Sequence, residues 1–150
     1  MITVRNIFRA TLLASTVAFA GCGMMPTTSM ASDTVKLGAT LSGAAEVPPT
    51  NSAGTGTLVA TLDKSSGVLN WRLSYSGLTG PASAAHFHGP ALPGANAGVV
   101  VPIPLAMNPA EGQATLTPAQ IADLTAGKWY ANVHTAAHPG GEIRGQVMVK

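Results

Sequence analysis

The four histidines of this 150-residue chain fall in two short segments, His86-Phe87-His88-Gly89 and His134-Thr135-Ala136-Ala137-His138. Imidazole is the commonest metal ligand of proteins, and Cys22 is the sole cysteine, which excludes a thiolate-rich zinc site. On a strand, His86 and His88 project from one face about 7 Å apart at the backbone, given a rise of roughly 3.3 Å per residue, so both rings can turn onto one ion. In a strand starting at Trp129, the residues Tyr130, Asn132 and His134 share one face, and Trp129, Ala131 and Val133 take the other. Brought beside the first pair, His134 adds a third nitrogen, and His138 on the following loop offers a fourth. Such a set suits copper or zinc, with copper the first expectation. Only neutral imidazole ligates, so binding is expected to weaken as the histidines protonate near about pH 6. Spacing alone leaves open a second reading, in which the H-x-H pair is merely hydrogen-bonded or exposed.

Glu142, Arg144 and Gln146 line one face of the last apolar segment, opposite Ile143, Val147 and Val149. Glu142 or Arg144 could orient a histidine from behind. The plainer expectation is a solvated face carrying an ion pair worth about 0–1 kcal/mol. Glu46, just before Pro48-Pro49, has the same two readings. Of the six methionines, Met1, Met24, Met25 and Met30 lie near the N-terminus and Met107 and Met148 are isolated, which argues against thioether ligation. There is no G-x-S-x-G nucleophile turn, and no glycine run opens a helix as a phosphate loop does. The reading leans away from an enzyme.

The elements that must position these groups read as a succession of strands. Val35, Leu37, Ala39 and Leu41 alternate with polar or small residues until Pro48-Pro49. Leu58, Ala60 and Leu62, a polar turn over Asp63 to Gly67, then Leu69, Trp71, Leu73 and Tyr75 predict a hairpin. Ala82 to His88 and Val99 to Leu105 are shorter strands separated by a Pro- and Gly-rich loop from Gly89 to Gly98, and Pro102 and Pro104 send the second to a sheet edge. Thr117-Pro118-Ala119-Gln120 is a capping box with proline at the first helical position; Ile121 and Leu124 give the helix its apolar side and Gly127 stops it. Strands over Lys128 to Thr135 and Glu142 to Val149 close the chain. Eight or so short strands predict a sandwich or barrel. With 46% apolar and 9% charged residues, the chain is expected to hold one core and one domain.

The formal charge of +2 owes itself to Arg5 and Arg9; without them six basic residues balance six acidic ones, and no basic cluster supports nucleic-acid binding. Those two arginines precede an apolar stretch, Ala10 to Ala20, too short to span a bilayer but of signal-peptide length. Ala18-Phe19-Ala20 fits a cleavage site, and Phe19-Ala20-Gly21-Cys22 resembles a bacterial lipobox with Cys22 as the lipidated residue. The organisation expected is a signal peptide over 1–21, a flexible tether over 22–34 and a folded domain over 35–150. Gly23 stands where an inner-membrane retention Asp would be, so the expectation is an outer-membrane lipoprotein, facing the periplasm or the surface.

Three ordered motifs carry a resemblance: Leu41-Ser42-Gly43-Ala44-Ala45-Glu46-Val47-Pro48-Pro49, Ala85-His86-Phe87-His88-Gly89-Pro90, and Trp129 to Thr135 continuing through Pro139-Gly140-Gly141-Glu142-Ile143-Arg144-Gly145-Gln146. Together they resemble the CHRD domain, named from chordin and common in exported bacterial proteins. The resemblance implies an all-β, antiparallel Greek-key β-sandwich of immunoglobulin-like appearance, here with one short helix. His86, His88 and His134 match histidine positions of the family motifs, whereas His138 occupies a variable one. The H-x-H element is also similar to the copper-ligand strand of copper-zinc superoxide dismutase, but no disulfide pair is present, and Asp63 and Asp123 are expected in a turn and a helix rather than a zinc loop. The leading expectation is an envelope-anchored domain that binds copper or zinc and serves periplasmic metal handling. Its rival is an interaction module with structural histidines that contacts a protein or polysaccharide through a sheet edge or the Gly89 to Gly98 loop. Redox catalysis at bound copper is the minor alternative.

Overall fold

In the computed structural model, residues 33–150 are described; the expected signal peptide, the Cys22 lipidation site and nearly all of the tether lie outside them. Among the described residues there are eight strands and one α-helix: β1 (Thr34–Ser42), β2 (Thr55–Asp63), β3 (Val68–Ser76), β4 (Ala82–His88), β5 (Val99–Pro102), β6 (Ala110–Thr115), α1 (Pro118–Thr125), β7 (Trp129–Thr135) and β8 (Ile143–Val149). All pair antiparallel in one sheet of order β5-β4-β7-β8-β1-β2-β3-β6. The chain runs along this sheet as hairpins and then jumps across it, from β3 to β4, from β5 to β6 and from β6 to β7.

The two layers of the sandwich are therefore the two halves of one sheet folded over itself. The joint is the β8–β1 pair, which holds register only at Leu37↔Val149, Gly38↔Met148 and Ser42↔Arg144. The fold brings Trp71 of β3 edge-on to Phe87 of β4, centroids 5.3 Å apart, with Trp129 of β7 beyond it at 6.1 Å from Phe87. Around these rings pack Leu37, Leu41, Leu58, Leu62, Leu69 and Leu73, all essentially inaccessible to water. Each comes from the alternation that sends every second side chain to one face.

The β2–β3 hairpin forms as its pattern predicts, closed by Asp63, whose Oδ1 accepts from Ser65 N, Ser65 Oγ and Ser66 N, and by Gly67 at φ 73°. The capping box also forms, with Gln120 N donating to Thr117 Oγ1 and Thr117 N donating to Gln120 Oε1. β5 is a sheet edge, as its prolines require, and is shorter than expected.

β6, at the other edge, is a strand that residue preference does not announce. Its sequence AEGQAT contains no β-branched residue before Thr115. It exists because Gly112 leaves room for an indole: a Cβ there would lie 2.5 Å from Trp71 Cζ2. The pairing Trp71↔Gly112 lets the large ring lie over its neighbour strand.

A candidate metal centre on the outer face

β4, β7 and β8 turn Ala85, Phe87, Trp129, Ala131, Val133, Ile143 and Val147 into the core. The alternate positions, His86 and His88 on β4, Tyr130, Asn132 and His134 on β7, and Arg144 and Gln146 on β8, therefore share the outer face. Register lines them up in rows, His88↔Tyr130↔Gln146 and His86↔Asn132↔Arg144, with His134 opposite Ala84.

This face is not open to water. His88 and His134 are each 8% exposed and Asn132 and Arg144 each 2%, while His86 remains partly exposed. The loop between β4 and β5 lies over it, tied down by polar side chains. Gln146 Nε2 donates to Ala91 O at 2.9 Å, Arg144 Nη1 to Asn96 Oδ1 at 2.8 Å and Arg144 Nη2 to Ala95 O. Tyr130 OH accepts from Ala97 N at 3.2 Å and lies 3.3 Å from Ala97 O. The solvated face expected for Glu142 and Arg144 is thus overturned. Docking of this loop is a tertiary event that no local periodicity records.

Three imidazoles meet beneath the loop. His86, His88 and His134 each offer a ring nitrogen, and these atoms all lie within 4.8 Å of one another. His86 Nδ1 is 3.2 Å from His134 Nε2. His88 Nδ1 lies 3.0 Å from Ala97 O and His134 Nδ1 lies 2.9 Å from Pro139 O. A carbonyl only accepts, so both Nδ1 atoms carry the proton and both Nε2 atoms present a lone pair. Both Nε2 atoms face Asn132 Oδ1, at 3.0 Å each. His88 Nε2, His134 Nε2 and Asn132 Oδ1 are thus three acceptors converging on one place, with His86 Nδ1 beside them at hydrogen-bond distance of His134 Nε2, an arrangement that a cation would satisfy. Burial lowers the His86 pKa, helped by His134 and His88, and burial likewise lowers that of His88 against the opposing effects of Ala97 and Asn132. Both rings are thereby kept in the neutral form that ligates.

A stack supports the group from one side. The Tyr130 ring lies parallel to His88, centroids 4.7 Å apart and planes 1° from parallel, and the Arg144 guanidinium lies over the Tyr130 ring at 3.3 Å from its centroid. Arg144 meets Tyr130, whose ring in turn stacks on His88. Glu142 bonds elsewhere: it is completely buried and accepts from Ser52 Oγ, Thr79 N, Thr79 Oγ1 and Thr135 Oγ1. It ties loops together beside the end of β7.

His138 is not in the group. It sits in the turn after β7, where its N–H donates to Thr135 O and its C=O accepts from Gly141 N, and it borders a surface groove with Val47, Pro48 and Gly140. Asp63 ends β2, where it caps the hairpin turn, and Asp123 stands in α1, both outside the group. The group the spacing did not single out is Asn132 with Glu46 behind it. Strand alternation already put Asn132 on the histidine face, but nothing local distinguishes its amide from a surface one.

The CHRD domain family matches residues 37–147, a span that holds all of β2 to β7, most of β1 and β8 and all three convergent histidines. The chain belongs to the CHRD domain family. No curated protein and no solved structure matches it. In this CHRD domain, the three motifs that carry the family resemblance are neighbours: β4 with its H-x-H pairs with β7, β7 pairs with β8, and Glu46 approaches Gly141 and Asn132.

Proposed function

We propose that this CHRD domain binds a transition-metal ion, copper ahead of zinc, through His86, His88 and His134, and handles that metal outside the cytoplasm. The observation that carries the reading is the convergence of the Nε2 atoms of His88 and His134, each ring held by a carbonyl on its opposite nitrogen, with Asn132 Oδ1 and His86 Nδ1. Histidines whose second nitrogen donates to a backbone carbonyl are the usual arrangement around a bound metal. Copper is favoured because a nitrogen and oxygen donor set binds Cu(II) more tightly than Zn(II), and the group contains no thiolate to reverse the order.

Partial exposure of His86 supports exchange of the ion with solvent or with another carrier at that side. This favours storage or transfer over turnover, and the domain is read as a binding protein rather than an enzyme. The leader pattern and Cys22 support export and lipid anchoring at the outer membrane.

Titration of the purified full chain with Cu(II) against a chelator of known affinity tests the reading. One equivalent bound by the wild type and lost in the His86→Ala/His88→Ala/His134→Ala variant is expected. Equal uptake by the variant would overturn it.

A further inference from the structure

Glu46 is 5% exposed, yet its Oε1 makes no hydrogen bond. Its Oε2 accepts from Val47 N at 3.3 Å, so the carboxylate is held at one end and bare at the other. The bare end points toward the backbone at Gly141 and the amide of Asn132. A Cβ built on Gly141 would collide with Glu46 Oε1 and lie 3.0 Å from Asn132 Nδ2. Glycine at 141, at φ 130°, is therefore what lets the carboxylate and the amide approach each other.

The amide has two ends and two kinds of neighbour. With Oδ1 toward the histidines, Nδ2 is directed at the Glu46 carboxylate, a donor facing an acceptor. The reverse orientation would set Oδ1 against that carboxylate, two acceptors face to face. The carboxylate therefore selects the orientation in which Oδ1 joins the two bare Nε2 atoms. Four ligands arranged as a tetrahedron about 2.0–2.1 Å from an ion stand about 3.3 Å from one another. Three of the six separations are close to that, 3.0 Å from Oδ1 to His88 Nε2, 3.0 Å from Oδ1 to His134 Nε2 and 3.2 Å from His134 Nε2 to His86 Nδ1, and the three histidine nitrogens all lie within 4.8 Å of one another.

We propose that Asn132 Oδ1 is the fourth ligand of the metal, and that Glu46 is the positioning residue that holds the amide in its ligating orientation. The proposal rests on the three-histidine reading above, and it fills with an amide oxygen the position that spacing had offered to His138. It also gives a role to a carboxylate that is buried beside the site, where the Arg144 charge is its other electrostatic partner.

Cu(II) is titrated into the full chain and into its Asn132→Leu, Asn132→Asp and Glu46→Met variants by chelator competition, and each loaded sample is examined by electron paramagnetic resonance. Asn132→Leu is expected to weaken binding about 10–100-fold and Glu46→Met about tenfold, while Asn132→Asp keeps an oxygen for the ion but faces Glu46 with a second carboxylate, and is expected to bind more tightly than Asn132→Leu. The Asn132→Asp spectrum is expected to shift in g while retaining hyperfine structure from three nitrogens. If the wild type binds and Asn132→Leu and Glu46→Met bind equally well, the fourth-ligand assignment falls and the three-histidine site stands. If the wild type takes up no copper, both fall. Where circular dichroism shows Asn132→Leu unfolded, the other two variants decide: an unchanged affinity in Glu46→Met or an unshifted spectrum in Asn132→Asp overturns the assignment.

Discussion

Glu142 shows how far a single side chain can depart from what its neighbours in sequence suggest. Standing just before a strand of alternating polarity, it looks like a surface carboxylate; in the fold it receives hydrogen bonds from Ser52, Thr79 and Thr135, residues 90, 63 and 7 positions away. Burial pushes its pKa up, and the hydrogen bonds from Ser52, Thr135 and Thr79 outweigh that and bring it to about 2 from an ordinary 4.5. A folded-state pKa below the unfolded one adds stability that is complete above about pH 4.5 and is lost as the pH falls toward 2. Glu142→Gln is expected to cost about 2–3 kcal/mol at neutral pH, because hydrogen bonds to a charged group are replaced by weaker or mismatched ones. Urea unfolding between pH 7 and pH 3 checks this: the wild type should lose stability on acidification more steeply than the variant, and parallel curves would show that Glu142 is not the group responsible.

The decisive element is the loop between β4 and β5. Its composition marks it as a loop, and its proline and glycine content suggests an exposed, variable segment or a partner-binding surface. Leu92 to Asn96 are exposed, and on the loop's inner side the backbone carbonyls at Ala91, Ala95 and Ala97 accept from Gln146, Arg144 and His88, so a polar sheet face is covered by polar backbone. The arrangement works because each buried donor finds a carbonyl, which avoids the cost of about 1–3 kcal/mol for an unsatisfied group. Arg144→Met retains the contact with the Tyr130 ring but removes the bonds to Asn96 and Ala95. Faster hydrogen exchange at Ala97 N is expected in that variant, with the β2–β3 hairpin amides unchanged. Exchange as slow as in the wild type would mean that the loop is held by other contacts. β6 makes the same point for a strand: Gly112 is readable only from Trp71 on its neighbour.

For the whole molecule, a bound ion would act as a clamp across the folded sheet. His86 and His88 come from β4 and His134 from β7, so ligation ties two strands that are 48 positions apart to each other and to the loops holding their rings. Anything that binds only the folded state stabilises it by mass action, by about 2.7 kcal/mol at a free concentration 100 times Kd. For a domain of this size, that is a rise in Tm of several degrees, roughly 2–8 °C per kcal/mol. Copper is expected to raise the Tm of the wild type and to leave the triple histidine variant unmoved. A wild-type Tm indifferent to copper would count against a site built from the folded strands.

Read alone, the sequence determined what is local. Alternation over Leu37–Leu41, Leu58–Leu62 and Leu69–Leu73 wrote three core strands because a period of two has one inward face. Thr117 and Gln120 wrote the helix start because both halves of a capping box lie within one turn. Pro102 wrote a sheet edge because proline has no N–H for the ladder. The same period of two put His86 with His88, and Tyr130, Asn132 and His134 together, so most of the site was legible as faces of strands. What tertiary structure decided is which faces meet and what covers them. Pairing of β4 with β7 joined the histidines, docking of the β4–β5 loop and the turn at Pro139 set a carbonyl against Nδ1 of His88 and of His134, and Gly141 let Glu46 approach Asn132. His138, close in sequence to His134, was left in its turn, because nearness along the chain does not aim a side chain. Those outcomes depend on contacts between segments tens of residues apart, where no periodicity of the chain carries the information.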